Sequence, residues 1–177
     1  RGLPWLPFIS TFGEFNIRTY VTKNGVPGVL FLTLDAQSAV TCFHAPRSYG
    51  LPYRYAKAKV KVVNDARYTW SSRRKAGGES LIGSTKSAGP IEQAKKGSIE
   101  YFLFERYSLY TWHNSSLHRA YTHHKPWEYC VAEVEVETNT LLESYDLGID
   151  VPLKPEYIHM SSGVQVQTWN IQPIEGK

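Results

Sequence analysis

Eight side chains in this sequence are of the types that grip or rework a small charged molecule: Glu14, Arg18, Arg47, Tyr53, Arg54, Glu105, Arg106 and His124. Several stand inside apolar or aromatic runs, as Glu14 and Arg18 do within residues 12–21. A charge withdrawn from water is costly unless it meets a partner or a ligand. Arginine clamps an oxyanion through two parallel N–H bonds. A tyrosine hydroxyl adds one more donor, and a glutamate serves as base or orients its neighbours. Together these types describe a cavity for a small anionic or carbonyl-bearing ligand. The alternative is structural, with Glu14 and Glu105 paired to Arg18 and Arg106, an arrangement that perturbs pKa values and catalyses nothing. As sequence neighbours in a strand, Glu105 and Arg106 would point to opposite faces.

The histidines raise a metal reading. His113, His118, His123 and His124 fall within twelve residues, and a hairpin would bring His113 beside His118. No carboxylate or cysteine completes a three- or four-ligand set, so no metal is expected. His124, ahead of Pro126 and Trp127, also suits a packing or hydrogen-bonding corner. No cofactor is expected either.

The elements that must position these groups read mostly as strands. Residues 15–22 and 29–34 are β-rich runs around Asn24-Gly25 and Pro27-Gly28, a strong hairpin signal. Asp35 is placed to cap a short helix over residues 37–44. Pro46 should break its continuation, and Gly50 should end the following turn. Residues 56–62 alternate small apolar residues with lysine, predicting a strand with one wet face. Residues 67–73 should return antiparallel after a turn at Asn64-Asp65. Residues 76–94 read as a mobile connection or a lid, with a short strand near 80–84. Residues 97–113 predict one long aromatic strand, returning over 117–123. Residues 131–137 alternate again, 138–145 predict a short helix, and 164–171 a last strand. About eight strands with one or two short helices favour a mainly β fold, an antiparallel β-barrel or half-closed barrel.

Composition narrows the class. At 177 residues a single domain spanning 1–177 is expected, and hydrophobic and charged contents of 42% and 20% are ordinary for a globular chain. The net charge of +4 is mild, and only Arg73-Arg74-Lys75 and Lys95-Lys96 cluster, so no nucleic-acid partner is expected. No apolar run reaches the roughly 20 residues of a spanning helix, so no membrane partner is expected. Cys42 and Cys130 form no disulfide framework, which fits a cytoplasmic location. With that location, the Asn114-Ser115-Ser116 triplet carries little weight as a glycosylation acceptor. The chain starts at Arg1 with Met160 its only methionine, so the N-terminus is expected to be processed or cut away. Exposed sheet edges give reason to expect a homodimer.

The order of several pieces resembles the YqjF-like family of uncharacterised conserved proteins. They are Asn16-x-Arg18-Thr19-Tyr20, residues 68–73, Phe104-Glu105-Arg106-Tyr107 and His124-x-Pro126-Trp127. Over residues 12–55 the chain also resembles the more distant acetoacetate decarboxylase family, in Glu14 after an aromatic, Gly25 to Gly28, and Arg47-x-x-Gly50-Leu51-Pro52-Tyr53-Arg54. The resemblance implies an acetoacetate decarboxylase-like β-barrel around a small-molecule cavity, lacking the family's N-terminal strands. It implies Glu14, Tyr53 and Arg54 as catalytic residues and Arg18, Arg47, Glu105, Arg106 and His124 as ligand-binding.

The decarboxylase motif carries its reactive lysine pair where this chain has Tyr53 and Arg54. Schiff-base chemistry needs a neutral amine near pH 7, and acetoacetate decarboxylase is the standard example of an amine so activated. A phenol has no amine and a guanidinium stays protonated. Lys57 sits nearby, but its alternation with Lys59 and Lys61 places it on a solvent face. The sequence thus leads to an acid–base enzyme acting on a small carbonyl or carboxylate compound, or to a non-catalytic ligand-binding barrel.

Overall fold

The computed structural model describes residues 12–64, 66–145, 147 and 155–174. The Arg1–Pro4 stretch and Asp65 of the expected turn lie outside them. The fold is mainly β. Its strands are β1 (Glu14–Lys23), β2 (Val26–Ala36), β3 (Tyr53–Asn64), β4 (Arg67–Arg74), β5 (Ser80–Ser87), β6 (Glu92–Gln93), β7 (Ser108–His113), β8 (Ser116–His123), β9 (Glu128–Asn139), β10 (His159–Met160), β11 (Gln167–Thr168) and β12 (Gln172–Pro173). Three short helices interrupt them: α1 (Ala39–Tyr49), α2 (Ile99–Phe104) and α3 (Thr140–Glu143).

The strands form one mixed sheet in the order β10-β9-β5-β4-β3-β2-β7-β8-β11. Among the described residues its ends do not meet, so the sheet is open and not closed into a barrel. Most pairings are antiparallel, but β2 runs parallel to both β3 and β7. The β2–β3 contact follows from α1, because a strand–helix–strand crossover returns the chain in the same direction.

β2 is the hub. One edge takes β1 along nearly its whole length, through the expected Asn24-Gly25 hairpin, with both residues at positive φ. The other edge is divided: Val29 and Leu30 pair with β7, and Leu34 to Ala36 pair with β3. Gly28 permits the first contact, since a Cβ there would lie 2.6 Å from the Ser108 carbonyl and 2.7 Å from the Tyr110 ring.

The helix after β2 differs from expectation in two ways. Its cap is Ser38, whose Oγ accepts from the Thr41 amide at 3.2 Å, while Asp35 remains in β2. The helix also runs through Pro46 to Tyr49 and stops at Gly50, where φ is 65° and the amide donates to the Pro46 carbonyl. Pro46 removes one intrahelical donor without ending the helix. Residues 97–113 are likewise not one strand. Ser98 caps α2 by accepting from the Tyr101 amide, and β7 begins only at Ser108. The expected strand over 164–171 shrinks to the two residues of β11.

Asp35 has a different task. Its side chain is 1% exposed and that of Arg74 is 4% exposed. The Arg74 Nε donates to Oδ2 at 2.9 Å and Nη2 to Oδ1 at 2.9 Å, while Nη2 also donates to Thr33 Oγ1 at 2.7 Å. Removing one partner of such a pair strands a buried charge, a cost of about 3–5 kcal/mol. Arg74→Met alone should therefore lower the unfolding free energy by about that amount in urea denaturation. The Asp35→Leu/Arg74→Met double variant should recover most of the loss.

Candidate functional site

A cavity of about 420 Å³ lies over the face of β2 that carries Leu34. Glu14 and Arg18 of β1, Tyr53 at the start of β3, Arg106 and His124 all line it, within walls that are mostly apolar. The register of β1 and β2 explains why. Ile17 opposes Thr33 but Arg18 opposes Phe31, leaving Leu32 unopposed. Such a bulge resets the alternation, so Val29 and Phe31 join Leu34 along the cavity. Glu14, Asn16 and Arg18 alternate regularly on β1, which keeps Glu14 and Arg18 on the same side.

Glu14 opposes Ala36 from one side of β2, and Tyr53 aligns with Leu34 from the other. Their side chains therefore meet across β2, and Tyr53 Oη donates to Glu14 Oε2 at 2.7 Å. Burial, followed by the Glu14 charge and this hydrogen bond, raises the Tyr53 pKa well above the ordinary phenol value. The phenol stays protonated and remains a donor.

Farther along β1 the lining turns cationic. Arg18 Nη2 donates to the Leu103 carbonyl at 3.2 Å and to Tyr20 Oη at 3.3 Å. The Arg106 guanidinium lies 4.3 Å from the Phe102 ring centroid and donates from Nη1 to the Glu105 carbonyl at 3.0 Å. Its Nε is buried without a partner. Among the described residues the ion pairs include neither Arg18 nor Arg106. His124 donates from Nδ1 to the Lys125 carbonyl at 2.8 Å and stacks on Tyr107 with centroids 4.7 Å apart.

Three of the expected residues lie outside this lining. Glu105 is buried behind the wall, where Oε1 accepts from the Trp127 amide at 3.0 Å and Oε2 accepts from the Tyr107 hydroxyl. It fixes the loop that carries Trp127 and does not reach the cavity. Glu105 and Arg106 are not on opposite faces of one strand as expected, since they follow α2 in an irregular connection ahead of β7. Arg47 folds back onto its own helix, 3.9 Å from the Phe43 ring centroid, and donates to the Phe43 carbonyl at 2.7 Å. Arg54 is exposed and aligns with Asp35, on the face opposite Tyr53. Lys57 is exposed as well.

The sequence reading missed Phe104, Trp127, Val166 and Thr168, which also line the cavity. Trp127 carried a signal, in the His-x-Pro-Trp element; Val166 and Thr168 carried none. Residues 165–168 alternate, with Val166 and Thr168 on the cavity and Gln165 and Gln167 on a neighbouring groove of about 780 Å³. This segment, and not residues 76–94, borders the cavity. His113 and His118 do meet, with ring centroids 5.7 Å apart, but no group of three His, Cys, Asp or Glu side chains among the described residues could hold a metal ion. No helix among them is long and apolar enough to cross a membrane.

The open, mainly β mixed sheet is acetoacetate decarboxylase-like in fold. The decarboxylase of Legionella pneumophila superposes with a TM-score of 0.51 at 12% identity, over 71% of this chain and 52% of that one. The chain thus spans about half the length of that enzyme. A looser match is the enduracididine biosynthesis enzyme MppR complexed with pyruvate, at a TM-score of 0.47 and 10% identity, over 89% of this chain and 61% of that one. Within this class the chain belongs to DUF2071, a family described as an uncharacterised conserved protein, whose model matches residues 1–165. The uncharacterised protein YqjF of Bacillus subtilis (strain 168) is 35% identical over 175 residues, 97% of this chain and 70% of that protein.

The Glu105 clasp has a pH signature. Burial, then the hydrogen bond to Glu105, pushes the Tyr107 hydroxyl up to about 12. A raised pKa means that the folded state favours the protonated phenol. Its contribution to stability is complete below the ordinary phenol value of about 10 and is lost as pH rises towards 12. Denaturation midpoints followed across this window should fall less steeply for Tyr107→Phe than for the unaltered protein.

Proposed function

We propose that the cavity binds a small organic carboxylate or carbonyl compound and acts on it by acid–base chemistry without a Schiff base. The observation that carries this reading is the 2.7 Å hydrogen bond from Tyr53 to Glu14 on the wall of a cavity that Arg18 and Arg106 also line. The guanidiniums supply donors for an oxyanion, and the Glu14 carboxylate is the only acidic side chain in the lining among the described residues. No lysine among the described residues belongs to that lining, which speaks against imine formation there. Glu14 would take a proton from the carbon beside the bound carbonyl, the electron pair would pass to the carbonyl oxygen as an enolate held by the guanidiniums, and the Tyr53 hydroxyl would keep the Glu14 side chain in position.

A non-catalytic binding protein is the second reading. It is favoured by the commitment of the Tyr53 proton to Glu14, which leaves the phenol no free donor for a substrate carbonyl.

Two measurements test the proposal. Acetoacetate should bind by saturation-transfer NMR and lose binding in Arg106→Gln, and borohydride treatment should leave no adduct on the chain. A stable adduct, at Lys57 or elsewhere, overturns the reading. Exchange of the α-protons of bound oxo acids in heavy water, abolished in Glu14→Gln, identifies an enzyme; binding without exchange identifies the second reading.

A further inference from the structure

The two polar ends of the cavity are chemically opposite and held apart. Glu14 and Arg18 lie four residues apart on β1, which puts their Cα atoms about 13 Å apart at a strand's rise of about 3.3 Å per residue. They form no ion pair with each other among the described residues, although both border the same cavity. At the Glu14 end the Tyr53 proton is already used, so what faces a ligand is the second carboxylate oxygen and the phenol lone pairs. These are acceptors only, beside a negative charge. At the Arg18 end the guanidiniums are donors only. Between them Val29, Phe31, Leu34 and Leu109 present an apolar passage.

We propose that the ligand is bipolar, an elongated molecule with a carboxylate at one end, an ammonium at the other, and an aliphatic spacer long enough to cross the apolar passage. The carboxylate meets Arg18 and Arg106, and the ammonium meets Glu14 and Tyr53. A second carboxylate in place of the ammonium would face acceptors and a like charge, which disfavours it. The volume of about 420 Å³ lies at the lower end for ligand pockets and suits a single slender chain. This inference rests on the non-catalytic form of the reading above, since an ammonium on Glu14 occupies the base, and adds the second pole and the spacer.

The test is a matched series measured by titration calorimetry at neutral pH: ω-aminooctanoate, octanoate, octylamine, octanedioate and the shorter γ-aminobutyrate. The ω-amino acid should bind at least about tenfold more tightly than any of the others, the increment expected of one charge-assisted hydrogen bond. Glu14→Gln should remove the preference over octanoate while octanoate binding persists. Arg106→Gln should do the reverse, sparing octylamine. The series on the unaltered protein stands even if a variant fails to fold. Octanoate binding as tightly as ω-aminooctanoate overturns the second pole and leaves the anion-binding cavity intact. No binding by any compound of the series overturns both.

Discussion

A strand has only two hydrogen-bonding edges, and β2 must serve three neighbours. β1 occupies one edge; β7 and β3 divide the other, at Val29–Leu30 and at Leu34–Ala36. The second and third neighbours therefore diverge along the same edge, and between them the Leu34 amide donates to the Pro52 carbonyl outside any ladder. The cavity spans this divergence, touching Tyr53 on one branch and Leu109 on the other. Glu14 and Tyr53 come from strands that do not pair with each other, and they meet across β2.

The two faces of β2 divide the work. On one, the Leu32 bulge lines up Val29, Phe31 and Leu34 beneath the cavity. On the other, Thr33 and Asp35 are locked to Arg74. A buried ion pair is weak evidence for stability, since two charges must be stripped of water. It does penalise slippage heavily, because a shift by one residue would carry Asp35 to the cavity face and leave Arg74 unpaired. The pair thus guards the registration that lets Tyr53 reach Glu14.

Where information was local, the sequence was legible. The β1–β2 hairpin, the alternating strands β3 and β9, and the β7–β8 hairpin follow from turn residues and period-two patterning. α2 was missed because Tyr101, Phe102 and Phe104 have strand propensities, which the Ser98 cap overrides within six residues. The parallel β2–β7 contact leaves no trace in sequence, since its members lie about eighty residues apart and the close approach at Gly28 shows only in three dimensions. Of the expected site residues, Glu14, Arg18, Tyr53, Arg106 and His124 share one cavity, while Arg47, Arg54 and Glu105 do not line it. Arg54 and Tyr53 are neighbours in a strand and cannot face the same way. Glu105 has the chemistry of a ligand-binding group but spends it on Trp127 and Tyr107, an allocation fixed by tertiary packing alone.

The outer boundary at residues 163–168 is a single thickness of extended chain. It is tacked to β8 by the short Gln167–Thr168 ladder and by the Trp169 amide on the Tyr121 carbonyl. Fraying these few bonds costs on the order of 1 kcal/mol each, far less than dismantling any longer ladder. Parting this seam would leave the β1–β2–β3 arrangement and its Glu14–Tyr53 contact in place, because none of those bonds runs through it.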